Sequence, residues 1–234
     1  MIEFKYGRRK FNIKPYDTKT QKDIVIFTEL CSNFDENALD NVLKILGVSD
    51  FEPKLTLDEK ISLLYKIRSI SVGEKLVVNS VCPNCKNKQM FELDISDIVM
   101  EPDSIDNSII DNYKEFDEKD VQSYIHEDVN ELDLDQYDDL INKIKRSIVK
   151  FNFLKDVRCV CGKSFKINLK DIKLCIKSLS DESLKAIYET YNNLTYYSHY
   201  TKMDVDSMYP FERAILIAML NETIKKINES RKSK

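Results

Sequence analysis

Two short cysteine clusters lie 73 residues apart in this chain, and the stretches that follow them match. Cys82-Pro83-Asn84-Cys85 leads to Phe91-Glu92-Leu93-Asp94-Ile95-Ser96-Asp97-Ile98, and Cys159-Val160-Cys161-Gly162 leads to Phe165-Lys166-Ile167-Asn168-Leu169-Lys170-Asp171-Ile172. Phe, Asp and Ile coincide, two further positions are aliphatic in both, and the alternation is that of a strand. The sequence therefore carries one internal repeat of strand, cysteine knuckle and strand. A two-residue spacing lets both thiolates wrap one tetrahedral ion, and the tighter second knuckle is followed by the glycine that such turns favour.

Two such hairpins set knuckle to knuckle would give Cys82, Cys85, Cys159 and Cys161 to one Zn2+, as in a zinc ribbon. Free thiols on the two hairpins are the competing reading, and the duplicated flanks favour the shared ion. Four thiolates leave no open coordination position for water, so such a metal is structural and would hold together hairpins too small to bury much apolar area. Cys175, within Leu174-Cys175-Ile176, reads as a small core residue, and Cys31 is given no role.

The chain's 234 residues, 42% of them hydrophobic, suffice for one large domain or two small ones. No apolar run approaches the ~20 residues of a membrane span, and Met1-Ile2-Glu3-Phe4 lacks the form of a signal peptide. The expected setting is the cytosol, where cysteines are ligands or thiols and not disulfides. Net charge is only −4, but residues 101–140 hold fifteen Asp or Glu against Lys114 and Lys119. Residues 141–177 reverse this, with eleven Lys or Arg against Asp156 and Asp171. A nucleic-acid face and a basic surface that pairs with the acidic stretch or is simply solvated both explain the second segment. The neighbouring negative charge favours the latter, because it repels phosphate within a Debye length.

These patterns predict an α+β chain, mostly helical, with a zinc-ribbon-like pair of β-hairpins and an acidic insert between the two knuckles. Residues 1–75 form an N-terminal strand arm and helices. Residues 76–100 and 151–176 are the two halves of the β module, 101–150 an acidic insert ending in a helix, and 177–234 a helical region. Ile2, Phe4, Tyr6, Phe11 and Ile13 alternate as a hairpin turning near Gly7-Arg8. Two helices then follow, one with Leu39, Val42, Leu43 and Leu46 on a face and Gly47 at its end, and one opened by the capping box Thr56-Leu57-Asp58-Glu59. A later helix spans about Gln136 to Val149, with Leu140, Ile144 and Ile148 on one face. Further helices are expected from Asp181 to Asn193, near Asp204, and from Pro210, where proline suits the first helical position. In that last helix apolar residues from Phe211 to Ile227 occupy more than one stripe, which implies a cover on two sides.

The chain has two histidines. His126, beside Glu127 and Asp128, reads as solvated and not as a ligand. His199, among Tyr196, Tyr197 and Tyr200, reads as part of a seam between helices, with a contact surface as the alternative. No Gly-rich phosphate loop, nucleophile elbow or Ser/His/Asp set is present, so neither a catalytic nor a small-molecule cofactor site is expected.

The segments Leu57-Asp58-Glu59-Lys60-Ile61-Ser62-Leu63-Leu64-Tyr65-Lys66-Ile67-Arg68 and Ser71-Val72-Gly73, then a strand into Cys82-Pro83-Asn84-Cys85, resemble baseplate hub proteins of T-even-type contractile-tailed bacteriophages. Met203-Asp204-Val205-Asp206-Ser207-Met208-Tyr209-Pro210-Phe211-Glu212-Arg213 is similar to their closing segment. The resemblance runs from about Leu57 onward. It implies a non-enzymatic assembly protein of the baseplate hub, acting in the host cytoplasm, with retention in the virion tail left open. The implied partners are other hub, central spike or wedge proteins, with no membrane, nucleic acid or small-molecule substrate. A zinc-ribbon nucleic-acid-binding or transcription-related factor is the alternative.

Overall fold

The computed structural model describes residues 2–6, 9–48, 55–100, 121–122, 124–125, 129–147 and 149–232. Its class is α+β, with helices accompanied by small two-stranded antiparallel sheets. Strands β1 (Ile2–Tyr6) and β2 (Arg9–Ile13) form the N-terminal hairpin, in whose antiparallel register Phe4 pairs with Phe11. The expected turn at Gly7-Arg8 lies outside the described residues.

Three helices follow, each opened by a side chain that accepts from an otherwise orphaned backbone N–H. Asp17 caps α1 (Thr18–Leu30), Asp35 caps α2 (Glu36–Ile45), and Thr56 with Glu59 closes a reciprocal capping box on α3 (Leu57–Ser71). Gly47, at φ +72°, takes the left-handed conformation that ends α2, as its position predicts. Helix α1 is an addition to the expectation. Its buried face contains Thr18 and Gln21 beside Ile24 and Val25, so the apolar period is broken although the helix is well capped.

The repeat is visible in three dimensions. Strands β3 (Lys75–Val81) and β4 (Lys88–Asp94) make the first cysteine hairpin, and β7 (Leu154–Arg158) and β8 (Ser164–Asn168) the second. Each is closed at its base in the same way: Ile95 N–H donates to the Glu74 carbonyl at 3.0 Å, and Leu169 N–H to the Phe153 carbonyl at 2.7 Å. The repeated Phe91 and Phe165 meet edge to face, with centroids 5.5 Å apart. The strands end earlier than their alternation suggests, at Asp94 and Asn168. Beyond them the copies diverge: Val99–Met100 forms β5, whereas Asp171 caps a helix, α5 (Ile172–Ser178). Ile172, Leu174 and Ile176 alternate like a strand, and the cap decides for helix.

Strand β5 pairs with β6 (Lys150–Phe151), so the excursion between the hairpins leaves and returns at one place. Within it, helix α4 (Leu134–Ser147) packs Ile141 and Ile144 against Val121, Tyr124 and Ile125 as a small core of its own. Ile148, His126 and residues 101–120 lie outside the described residues. Basic residues of the following segment pair with acids beyond the insert, Lys170 with Asp58 at 2.7 Å and Lys155 with Asp97.

The main core gathers both cysteine hairpins with α1, α2, α3 and α5, through residues such as Ile13, Leu39, Leu64, Leu76, Leu93, Val157, Ile167 and Ile176. Cys175 lies fully inside it, as a small apolar residue. The chain closes with α6 (Leu184–Ser198), α7 (Lys202–Ser207) and α8 (Pro210–Lys232). Ile187, Leu194 and Val205 form a third cluster with Val25 of α1, partly covered by Leu216 and Ile217 of α8. His199 ends α6 at φ +59°. The tyrosines beside it correct the seam expectation: Tyr200 packs on this cluster, but Tyr196 and Tyr197 are exposed and touch each other edge to face.

Candidate metal centre

Both knuckles are tight loops whose backbone closes on itself. In the first, Cys82 N–H donates to the Asn87 carbonyl at 3.0 Å and Lys86 N–H returns to the Cys82 carbonyl at 2.9 Å. In the second, Cys159 N–H donates to the Lys163 carbonyl at 2.9 Å and Gly162 N–H to the Cys159 carbonyl at 2.9 Å. The residue directly after the second cysteine is left-handed in both, Lys86 at φ +58° and Gly162 at φ +84°. The second loop is one residue shorter and yet presents its thiols to the same point.

That point is where the four sulfurs converge. Cys82 Sγ and Cys161 Sγ are 3.9 Å apart, Cys85 Sγ and Cys159 Sγ 3.5 Å, and all four lie within 4.8 Å of one another. A tetrahedral ion with bonds of about 2.3 Å needs sulfurs about 3.8 Å apart, so the cluster fits a tetrathiolate ion. The two hairpins thus bring their thiols to one point, the arrangement that a shared ion needs. Cys82 and Cys159 are buried and Cys85 and Cys161 exposed, so the cluster opens to solvent along one side.

Gln89, near the start of β4, ties the knuckles together. Its Nε2 donates to Cys159 Sγ at 2.8 Å while its Oε1 accepts from Val160 N–H at 3.2 Å. Backbone also contributes, since Cys161 N–H points at Cys159 Sγ at 3.4 Å. Donors aimed at sulfur stabilise thiolate and orient the ligand, the usual outer-shell role. Nothing in the sequence singles out Gln89, because its counterpart in the second copy is Lys163.

The thiols do not share negative charge equally. Cys161 is held down to about 6, first by the Lys163 backbone N–H and then by a hydrogen bond with Cys159. Cys82 is also lowered, chiefly by the Cys85 backbone N–H. For Cys85 the Asn87 N–H works downward, but the contacts with Cys159, Cys161 and Cys82 prevail and push it up to about 11. Four thiols at this spacing resist becoming four thiolates without a cation between them.

A cleft of about 490 Å³ lies between β4 and β7, lined by Phe91, Asp94, Asp97, Lys155, Asp156 and Arg158 among others. The Lys155–Asp97 ion pair bridges one end, and Asn152 Nδ2 donates to Asp97 beside it at 3.0 Å. No curated protein and no solved structure matches the chain. Residues 1–114 match the family model described as T4 bacteriophage base plate protein. The match takes in the N-terminal arm, which lies ahead of the segments resembling hub proteins, and ends before the second knuckle and the closing segment. It includes Cys82 and Cys85 but not Cys159 and Cys161, and it supports a T4-type phage baseplate protein.

Proposed function

We propose that this protein is a non-catalytic structural or assembly component of a phage tail baseplate hub, held in shape by one Zn2+ on Cys82, Cys85, Cys159 and Cys161. The observation that carries the metal is the convergence of four sulfurs at tetrahedral spacing from two hairpins of one repeat. Bound there, the ion would cross-link two halves of the chain and supply folding free energy, since ligands deprotonate and order in the same process. The baseplate setting rests on the match over residues 1–114. No helix among the described residues is long and apolar enough to cross a membrane.

Partners in this reading are other hub, central spike or wedge proteins, met in the host cytoplasm during assembly. Two surfaces suit such contacts, the exposed Tyr188, Tyr196 and Tyr197 of α6 and the outer stripe Phe211, Ile215 and Met219 of α8. The nucleic-acid alternative is weakened by Lys155 and Lys170, which are engaged in ion pairs within the fold.

Elemental analysis of protein purified under reducing conditions without chelator tests the metal, with one zinc per chain expected. Well under one equivalent would overturn it. Cys82→Ser and Cys161→Ser should each lower the melting temperature strongly, whereas Cys31→Ser, at a half-buried thiol bonded to the Asn33 carbonyl, should have a mild effect. For the hub, the native chain should co-purify with baseplate proteins from infected cells.

A further inference from the structure

The four sulfurs of the cluster are not equivalent. Cys82 is buried and Cys85 exposed in the first knuckle, and Cys159 is buried and Cys161 exposed in the second. Their short approaches run from one hairpin to the other and pair unlike members. Exposed Cys85 Sγ lies 3.5 Å from buried Cys159 Sγ, and exposed Cys161 Sγ lies 3.9 Å from buried Cys82 Sγ. Each accessible sulfur therefore has a sheltered sulfur of the other hairpin beside it. A solvent-accessible thiol poised next to a second one is the arrangement in which oxidation of the first is resolved by attack of the second.

We propose that a peroxide converts this cluster into two disulfides that join the hairpins, Cys85 to Cys159 and Cys82 to Cys161, so that a covalent tie takes over from the shared ion. The inference concerns regulation of the proposed metal site and rests on that reading for what the bridges displace. The thiolate of Cys85 or Cys161 attacks one oxygen of hydrogen peroxide. The S–O bond forms as the O–O bond breaks, leaving a sulfenic acid and hydroxide, and sulfur gives up the two electrons that peroxide gains. The buried thiolate across the cluster then attacks the sulfenyl sulfur, the S–S bond forms, and the S–O bond breaks with loss of a second hydroxide. Both hydroxides take a proton from solvent, so each bridge reduces one peroxide to two waters. With the ligands consumed in pairs, Zn2+ is released.

Bridges within a knuckle are disfavoured by the local backbone. One between Cys159 and Cys161 would close a ring over Val160 alone, in a loop already fixed by hydrogen bonds from Cys159 N–H to Lys163 and from Gly162 N–H to Cys159. Disulfide geometry is too specific to be imposed there without strain. Across the hairpins the sulfurs need only close to about 2 Å, within reach of side-chain rotation at the two exposed cysteines. The outcome matters to a protein made in a reducing compartment and then carried on a virion surface, where disulfides persist.

Limited oxidation of the purified full-length chain reads the pairing. Its zinc content is measured first. The reduced chain is then moved to thiol-free buffer, given about one equivalent of hydrogen peroxide, alkylated with iodoacetamide in denaturant, and digested with trypsin without reduction. Cleavage after Lys75, Lys86, Arg158 and Lys163 leaves Cys82 and Cys85 on residues 76–86, and Cys159 and Cys161 on residues 159–163. The two peptides should be joined by one bridge, with the label on Cys82 and Cys161 or on Cys85 and Cys159, and zinc should reach a chromogenic chelator as the bridge forms. With both bridges made, the chain should keep in chelator the melting temperature that the reduced chain loses there. Peptides bridged internally and not joined would overturn the proposal, as would a bridge between the two exposed or the two buried cysteines. So would sulfinic or sulfonic acids with no bridge, no reaction at all, or an oxidised chain that melts as low as the reduced zinc-free one. A chain without zinc before oxidation would count against the metal reading instead, and the joined peptides would still decide the pairing.

Discussion

Arg68 shows how much one side chain can organise. It is fully buried on α3, yet Nε donates to the Ser178 carbonyl at 2.7 Å, Nη1 to Gly73, and Nη2 to the Lys75 carbonyl at 2.9 Å and to Asp181 at 3.1 Å. Those acceptors stand at the end of α3, the start of the first cysteine hairpin and the turn after α5. Only a planar fork of donors reaches all of them at once, so lysine is no substitute. Arg68→Met keeps the volume and strands three carbonyls, each costing about 1–3 kcal/mol if left unpaired. Allowing for water reaching some of them, a loss of about 3 kcal/mol is expected, measurable as a lowered urea midpoint at unchanged slope. The sequence shows Arg68 only as one more charge on a helix. Its role depends on contacts more than a hundred residues away, such as Ser178 and Asp181, that no local pattern encodes.

The two knuckles make a natural pair of experiments, because they place different residues in the same strained conformation. Gly162 and Lys86 both follow the second cysteine of their loop at positive φ, where a side chain costs roughly 1 kcal/mol. Gly162→Ala should therefore destabilise the second hairpin by about that amount, and Lys86→Gly should leave the first unharmed or slightly firmer. Thermal melts of both variants with zinc present check the opposite signs. Much at this scale was legible beforehand. The pairing of the four cysteines, the repeat, the capping box at Thr56 and the glycine ending α2 are local patterns with local causes. What escaped is equally physical: α1 turns Thr18 and Gln21 inward, α5 alternates like a strand until Asp171 is seen as a cap, and Tyr196 and Tyr197 face outward although Tyr at such spacing usually packs. In each, burial is set by what arrives from elsewhere in the chain.

For the molecule as a whole, the third cluster decides where the chain can be shortened. Truncation ahead of Tyr209 would remove Arg213 and uncover Ile187, Leu194 and Val205, so any loss of function after it would mix unfolding with lost docking. A stop after Leu220 spares them and is the cleaner cut. A different cut follows from the β5–β6 pair, which sends the chain out and brings it back at a single doorway between the two cysteine hairpins. Continuity of the polypeptide across that doorway is dispensable in principle. Residues 1–100 and 121–234, made as two separate polypeptides in one cell, should find each other and elute as a single species, zinc-bearing if the proposed metal is right, because they share the main core and each contributes two sulfurs to the thiol cluster. Fragments that elute apart would show that covalent connection, and not core plus metal, holds the body together. If they stay joined, the excursion is a place where evolution could lengthen, shorten or exchange sequence at little thermodynamic penalty, with the ion acting as a ligature that outlives any break in the thread.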